Sequence, residues 1–220
     1  MIKNILAVGD SFTYGEELKK VENAYPYLLA DKLSANIVNL AKPGSGNKRM
    51  IRSVIDHIVT DQPVDLVIIG WSSPGRIEFA DADGIYDVWP GRSGNVFEST
   101  NQLWRNDLLN YINKHHDPAW MYKQYLLDVI LMQNYLKSKM INYLMVTTVS
   151  NEYYHSTFHE KNLPLSKEID SDFYLGWPAN GMAEWTSGCK RGPNGHFLED
   201  GHKKVAEKLY EYIRYINWLS

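Results

Sequence analysis

Short, unbroken apolar runs alternate along this chain with longer stretches in which apolar residues recur every three or four positions. Ile5-Leu6-Ala7-Val8, Ile37-Val38-Asn39-Leu40, Val64-Asp65-Leu66-Val67-Ile68-Ile69 and Tyr143-Leu144-Met145-Val146-Thr147-Thr148-Val149 read as strands. The unbroken runs among them suit a sheet that is covered on both faces. Helices are predicted from Ala24 to Leu33 with Pro26 in the first turn, and from Met50 to Val59 with Ile51, Val54, Ile55 and Ile58 on one face. Two more run from Tyr122 to Met140 and from about Glu199 to Trp218, the last with Val205, Leu209, Ile213 and Ile216 roughly aligned. Strand and helix thus take turns. That predicts an α/β fold, a three-layer α/β/α sandwich around a mainly parallel central sheet.

Two segments break the alternation, about 76–119 and 151–195, both rich in Trp, Tyr, Gly, Asn and Pro. Each leaves the carboxyl end of a predicted strand. They are expected either to wall or cover a site at that edge of the sheet or to form an oligomer interface. The whole of 1–220 reads as one domain with these two insertions.

Composition narrows the partners. A net charge of −3 gives no electrostatic case for nucleic acid or for an anionic membrane surface. Fifteen Tyr and seven Trp fit a surface that stacks on sugars and fit a well-filled core equally. The single cysteine, Cys189, excludes an internal disulfide and a multi-cysteine metal site, and without a nearby base it reads as inert. The apolar run near the amino terminus is too short for a signal-peptide core, and no window approaches the roughly 18 apolar residues of a membrane span. The expectation is a soluble, cytoplasmic protein without a membrane partner.

Candidate chemistry gathers at Gly9-Asp10-Ser11, directly after the first strand. In open α/β sheets the carboxyl ends of the strands are where ligands bind. Ser11 is a candidate nucleophile there, although Asp10 or Ser11 could equally serve only as a helix N-cap. Phosphate or flavin binding at this loop is a third reading, but Gly9 to Gly15 contains no Lys and lacks the spacing of a P-loop, so no cofactor is expected.

A serine nucleophile needs a base. His57 sits within a predicted helix and His115-His116 in a turn before Asp117-Pro118. His155 and His159 would share a helical face, but the first lacks the following Glu of a zinc-protease motif, and no metal is expected. His202 lies inside the last predicted helix, where it would pack or cap. His196, in the turn Gly192-Pro193-Asn194-Gly195-His196-Phe197, is the candidate general base.

Taken together, these blocks resemble those of the SGNH (GDSL-type) hydrolases, serine esterases and lipases on a flavodoxin-like α/β/α fold. Val8-Gly9-Asp10-Ser11-Phe12-Thr13-Tyr14-Gly15 matches the family's first block, and the resemblance implies Ser11 as nucleophile. Asn39-Leu40-Ala41-Lys42-Pro43-Gly44 matches the second, implying that the backbone N–H groups of Ser11 and Gly44 form an oxyanion hole. His196-Phe197-Leu198-Glu199-Asp200-Gly201-His202 matches the last and implies His196 as the base. The blocks fall in the family's order over nearly the whole chain.

The chain departs from the family at two positions. The third block, Gly-x-Asn-Asp in the family, is Gly70-Trp71-Ser72-Ser73 here, so Asn47, Ser72 and Ser73 become the candidates for the missing oxyanion donor. The family's acid, three residues before the histidine, is replaced by Pro193. Asp10 and Asn194 are candidate supports, and the ring is otherwise expected to be oriented by a backbone carbonyl or an acid from an insertion. The resemblance implies a serine esterase acting on an acyl ester of a small molecule or glycan, such as an O-acetylated carbohydrate. The alternative is a carbohydrate-binding or virion-associated module that keeps the fold without turnover.

Overall fold

The computed structural model describes residues 2–80, 85–88 and 102–218. The chain begins with β1 (Asn4–Gly9), a single turn α1 (Ser11–Tyr14), α2 (Tyr25–Leu33), β2 (Asn36–Asn39), α3 (Asn47–Val59) and β3 (Leu66–Trp71). It continues with β4 (Ile77–Ala80), β5 (Ile85–Val88), α4 (Gln102–His115), α5 (Pro118–Ser138) and β6 (Asn142–Thr147). The short α6 (Glu152–Phe158), α7 (Leu163–Ser166) and α8 (Met182–Trp185) precede the last helix, α9 (Glu199–Tyr215).

The four predicted strands form one sheet in the order β2-β1-β3-β6, and every pair in it is parallel. Side chains alternate across a strand, and here both sets are apolar because both faces are covered. Ile5, Ala7, Leu66, Ile68, Leu144 and Val146 pack with Leu29 of α2 and Val205, Leu209 and Ile213 of α9. Leu6, Val8, Val67, Ile69, Tyr143 and Met145 pack on the other side with Met50 and Val54 of α3 and Leu126 and Val129 of α5. The result is the expected α/β/α sandwich. β2 is the edge strand, and its alternate residues Asn36 and Val38 are exposed.

Helix boundaries differ from the periodicity where capping decides them. α5 starts at Pro118, ahead of Tyr122, because the Asp117 carboxylate accepts the N–H groups of Ala119 (2.9 Å) and Trp120 (3.3 Å). α3 starts at Asn47, one turn ahead of the apolar stripe, and α9 ends at Tyr215.

The two insertions contain structure of their own. β4 and β5 pair as an antiparallel hairpin that packs against α3, and α4 follows. The remainder of 76–119 up to α4 falls outside the described residues. Part of the second insertion runs beside β6. Met145 N–H donates to the Phe173 carbonyl (2.8 Å) and Leu175 N–H to the Met145 carbonyl (2.8 Å), so this stretch extends the sheet beyond β6.

Among the described residues, no helix is long and apolar enough to cross a membrane. A cavity of about 490 Å³ lies along α8 and α9, lined by Leu175, Trp185, Lys208, Tyr212 and Tyr215 among others. Neither Ser11 nor His196 borders it.

Candidate active site

Because all four strands run the same way, the segments that follow them meet at one edge. The tightest is the turn after β1. Asp10 caps α1 by accepting the Phe12 N–H (3.1 Å), which sets Ser11 as the first helical residue. Thr13, two residues on, is wedged beneath the sheet edge. A Cβ on Gly9 would come within 2.1 Å of Thr13 Oγ1 and one on Gly70 within 2.3 Å, so both strands need glycine at this crossing. Tyr25 donates its hydroxyl to the same Thr13 oxygen (3.1 Å).

Asp10 is fully buried and does not touch His196. Its Oδ2 accepts from Ser72 Oγ (2.9 Å), Thr148 Oγ1 (2.9 Å) and Arg76 Nη1 (3.3 Å). One carboxylate therefore ties together the ends of β1, β3 and β6. Desolvation of this kind is tolerable only when the charge is paired and its lone pairs are filled, as they are here.

His196 is carried by a turn held at both ends. Gly192 N–H donates to the His196 carbonyl (2.8 Å), Leu198 N–H to the Lys190 carbonyl (2.9 Å), and Arg191 bridges to Phe197. Phe197 is buried in the core and Phe12 packs on the imidazole at 4.8 Å between ring centroids. The ring comes to rest with Nε2 2.8 Å from Ser11 Oγ.

The other ring nitrogen, Nδ1, lies 2.7 Å from Glu17 Oε2. Glu17 comes from neither insertion. It follows the turn that carries Ser11, where Gly15 (φ 91°) and Glu17 itself (φ 70°) are both left-handed and reverse the chain. Its carboxylate also accepts the N–H groups of Asn194 (2.9 Å) and His196 (3.2 Å). Gly192 is what permits this approach, since a Cβ there would stand 2.6 Å from the carboxylate. Burial pushes the Glu17 carboxyl up, but the Asn194 N–H, the His196 ring and the His196 N–H outweigh it and hold its pKa below the ordinary 4.5. An ionised carboxylate only accepts, so Nδ1 carries the proton and the Nε2 lone pair faces the Ser11 hydroxyl.

The remaining candidates divide by what their donors do. Asn47 is buried and spends its amide on the neighbouring loop, accepting Ser72 N–H (2.9 Å) and donating to the Ser72 (3.3 Å) and Ser73 (3.4 Å) carbonyls. Ser72 gives its hydroxyl proton to Asp10, and Ser73 Oγ accepts the Gly75 N–H (3.4 Å). Asn194 supports Glu17 through its main chain, with its side chain exposed. By contrast, the N–H groups of Ser11 and Gly44 have no protein acceptor among the described residues.

The loop that carries Gly44 (φ 82°) is fastened from both sides. Asn39 accepts Ala41 N–H (3.1 Å) and donates to the Thr13 carbonyl (3.2 Å), which joins it to the turn of Ser11. Arg76 Nη1 donates to the Ser45 carbonyl (3.0 Å). Asp87 of β5 accepts Gly46 N–H (2.8 Å) through one oxygen and pairs with Arg49 Nε (2.5 Å) through the other. The first insertion thus acts on this edge as a clamp.

His202 lies one turn into α9, where its Nδ1 accepts Tyr25 N–H (3.1 Å) and so caps α2. His155 and His159 bring their ring centroids to 4.3 Å. Among the described residues, no group of three or more His, Cys, Asp or Glu is placed to hold a metal ion.

The sheet order and the two helix layers are those of the fold seen in solved SGNH- and GDSL-type proteins. By sequence the chain belongs to DUF6071, a family of unknown function whose model matches residues 11–218. No curated protein sequence matches it.

Solved structures share the fold at low identity. The esterase EstA of Pseudoalteromonas sp., solved inhibited by monoethylphosphonate, is similar with a TM-score of 0.58 and 13% identity over 99% of this chain and 98% of that one. A lipolytic protein of the G-D-S-L family from Veillonella parvula gives 0.53 and 14% over 95% and 97%. An acetyl xylan esterase from the rumen bacterium Butyrivibrio proteoclasticus gives 0.58 and 12%, over 99% of this chain and 65% of that one.

Proposed function

We propose that this chain is a serine hydrolase of acyl esters, with an O-acetyl group on a carbohydrate as the substrate class. The observation that carries this reading is the unbroken hydrogen-bonded line from Ser11 Oγ through the His196 ring to Glu17. Nucleophile, base and orienting acid within hydrogen-bond reach of one another are the geometric signature of nucleophilic acyl transfer. That structures of the same fold include an acetyl xylan esterase supports the choice of acyl group and acceptor.

In this mechanism Ser11 Oγ attacks the ester carbonyl while His196 Nε2 takes its proton. Glu17 keeps the ring in the productive tautomer and stabilises the imidazolium that forms. The unpartnered N–H groups of Ser11 and Gly44 receive the oxyanion. The imidazolium then returns its proton to the departing alcohol, and water, activated by the same nitrogen, releases the acyl group from Ser11.

The test is hydrolysis of a short-chain aryl acetate by the wild type and by Ser11→Ala. Loss of about 10³-fold or more in kcat with an unchanged fold is expected. Equal rates in the two proteins would overturn the reading.

A further inference from the structure

We infer that Glu16 selects the charge of the substrate, so that this centre accepts esters of neutral or cationic alcohols and disfavours those whose alcohol bears an anion, such as a uronate, sulfate or phosphate. The inference rests on the esterase reading and deepens it.

Glu16 Oε2 lies 3.4 Å from His196 Nε2, the nitrogen that also meets Ser11 Oγ at 2.8 Å. Nucleophile and carboxylate therefore flank one atom, so Ser11 Oγ itself stands no more than roughly 6 Å from that charge, close enough for it to act on a charged substrate group. The two acids after Gly15 play opposite parts. Glu17, with its side chain only 10% exposed, holds the back of the ring through Nδ1. Glu16 is 38% exposed and lies on the Nε2 side of the ring, the side that also meets Ser11.

Orientation of the ring does not need Glu16, because Glu17 already fixes Nδ1. Nor does the fold use its carboxylate. Its backbone N–H donates to the Ser11 carbonyl (3.0 Å), which ties it to the turn of Ser11, and the only ionisable group within ion-pair distance of its carboxylate among the described residues is the His196 ring, an ion pair only while that ring is protonated. The other carboxylates at this point are Glu17 on Nδ1 of the ring and buried Asp10, the latter paired with Arg76. Of these three carboxylates Glu16 is the one open to solvent, at 38% exposure against 10% for Glu17 and 0% for Asp10.

The experiment compares kcat/KM, followed by thiol release, for three thioacetates: acetylthiocholine, its neutral neohexyl isostere, and S-acetyl mercaptoethanesulfonate. For the wild type the expected order is cationic, then neutral, then anionic, with about 5–10-fold between neighbours, compressed by high salt. Glu16→Gln should bring the three within about 2-fold of each other, and Glu16→Lys should reverse the order. Cleavage with the same ratios in wild type and both variants overturns this inference and leaves the esterase reading intact. Failure of the wild type to cleave any of the three overturns both.

Discussion

The Glu17 carboxylate lies 2.7 Å from His196 Nδ1, and the two residues are 179 positions apart. The carboxylate therefore stands only six residues after Ser11 in sequence, and the turn that carries His196 closes onto it. The same carboxylate accepts two backbone N–H groups of that turn, so orienting the ring and docking the loop are a single act.

Glu17→Gln keeps the size of the side chain and removes the charge. In a serine protease the equivalent neutralisation of the triad acid costs about 10⁴ in turnover, because the ring is left in the wrong tautomer. A fall of about 10³–10⁴ in kcat is expected, with KM changed far less. Steady-state kinetics on an aryl acetate, with circular dichroism as the check on folding, measures it. A variant that retains more than a tenth of wild-type kcat would remove Glu17 from the mechanism.

Asp87 is a buried carboxylate that holds both the Gly46 N–H and Arg49. Asp87→Ala strands a largely buried guanidinium and releases the loop that presents Gly44. Breaking such a pair typically costs about 3 kcal/mol or more. Outright loss of an oxyanion donor costs about 10²–10³ in turnover, and a loosened donor less, so a drop of about 10-fold in kcat is expected. Urea denaturation and kcat measured on the folded fraction test the two effects separately.

Stability should fall with acidification before the carboxylates begin to titrate. Burial, and next the nearby His196, push the pKa of His202 from the ordinary 6.5 down to about 3. The unfolded chain therefore takes up this proton first, and protons favour unfolding. The stability that neutral His202 confers is complete above about 6.5 and is lost on the way to about 3, at roughly 1.4 kcal/mol per pH unit. Glu17, held below 4.5, adds its loss only in the more acid part of that range. His202→Gln retains an acceptor for the Tyr25 N–H and should flatten the stability profile between pH 6.5 and 4.5. His116 and His155, which burial also lowers, contribute to the slope that remains. Urea midpoints across that range decide it.

The layers of the fold were legible because strand runs apolar on both faces and helices with one apolar stripe leave few other arrangements. Ile5 and Leu6, adjacent in sequence, pack into opposite cores, as the unbroken run requires. Ser11 and His196 were legible as individual residues by resemblance, and their contact follows from the parallel sheet, which gathers every strand's exit at one edge. Glu17 was not. Its approach depends on a left-handed backbone at a glutamate, φ 70°, which the sequence around it does not favour. The available signal was chemical. Two acids stand immediately after the glycine that ends the first block, and the usual acid position before His196 holds Pro193.

The donors of Asn47 and Ser72 were equally hidden, because a side chain's partner is set by loop geometry rather than by residue type. Both serve the Asp10 and Ser72–Ser73 framework. The clamp by Asp87 was beyond reach for a related reason. Nothing in the pattern of 76–119 announces a hairpin whose acid turns back to Gly46.

The most direct measurement is reaction of the folded protein with a fluorophosphonate, read by intact mass and by mapping the modified peptide. One adduct per chain on Ser11 is expected, absent from Ser11→Ala and much slower in His196→Ala and Glu17→Gln. Failure of the wild type to react, or an adduct placed on any residue other than Ser11, would contradict the account.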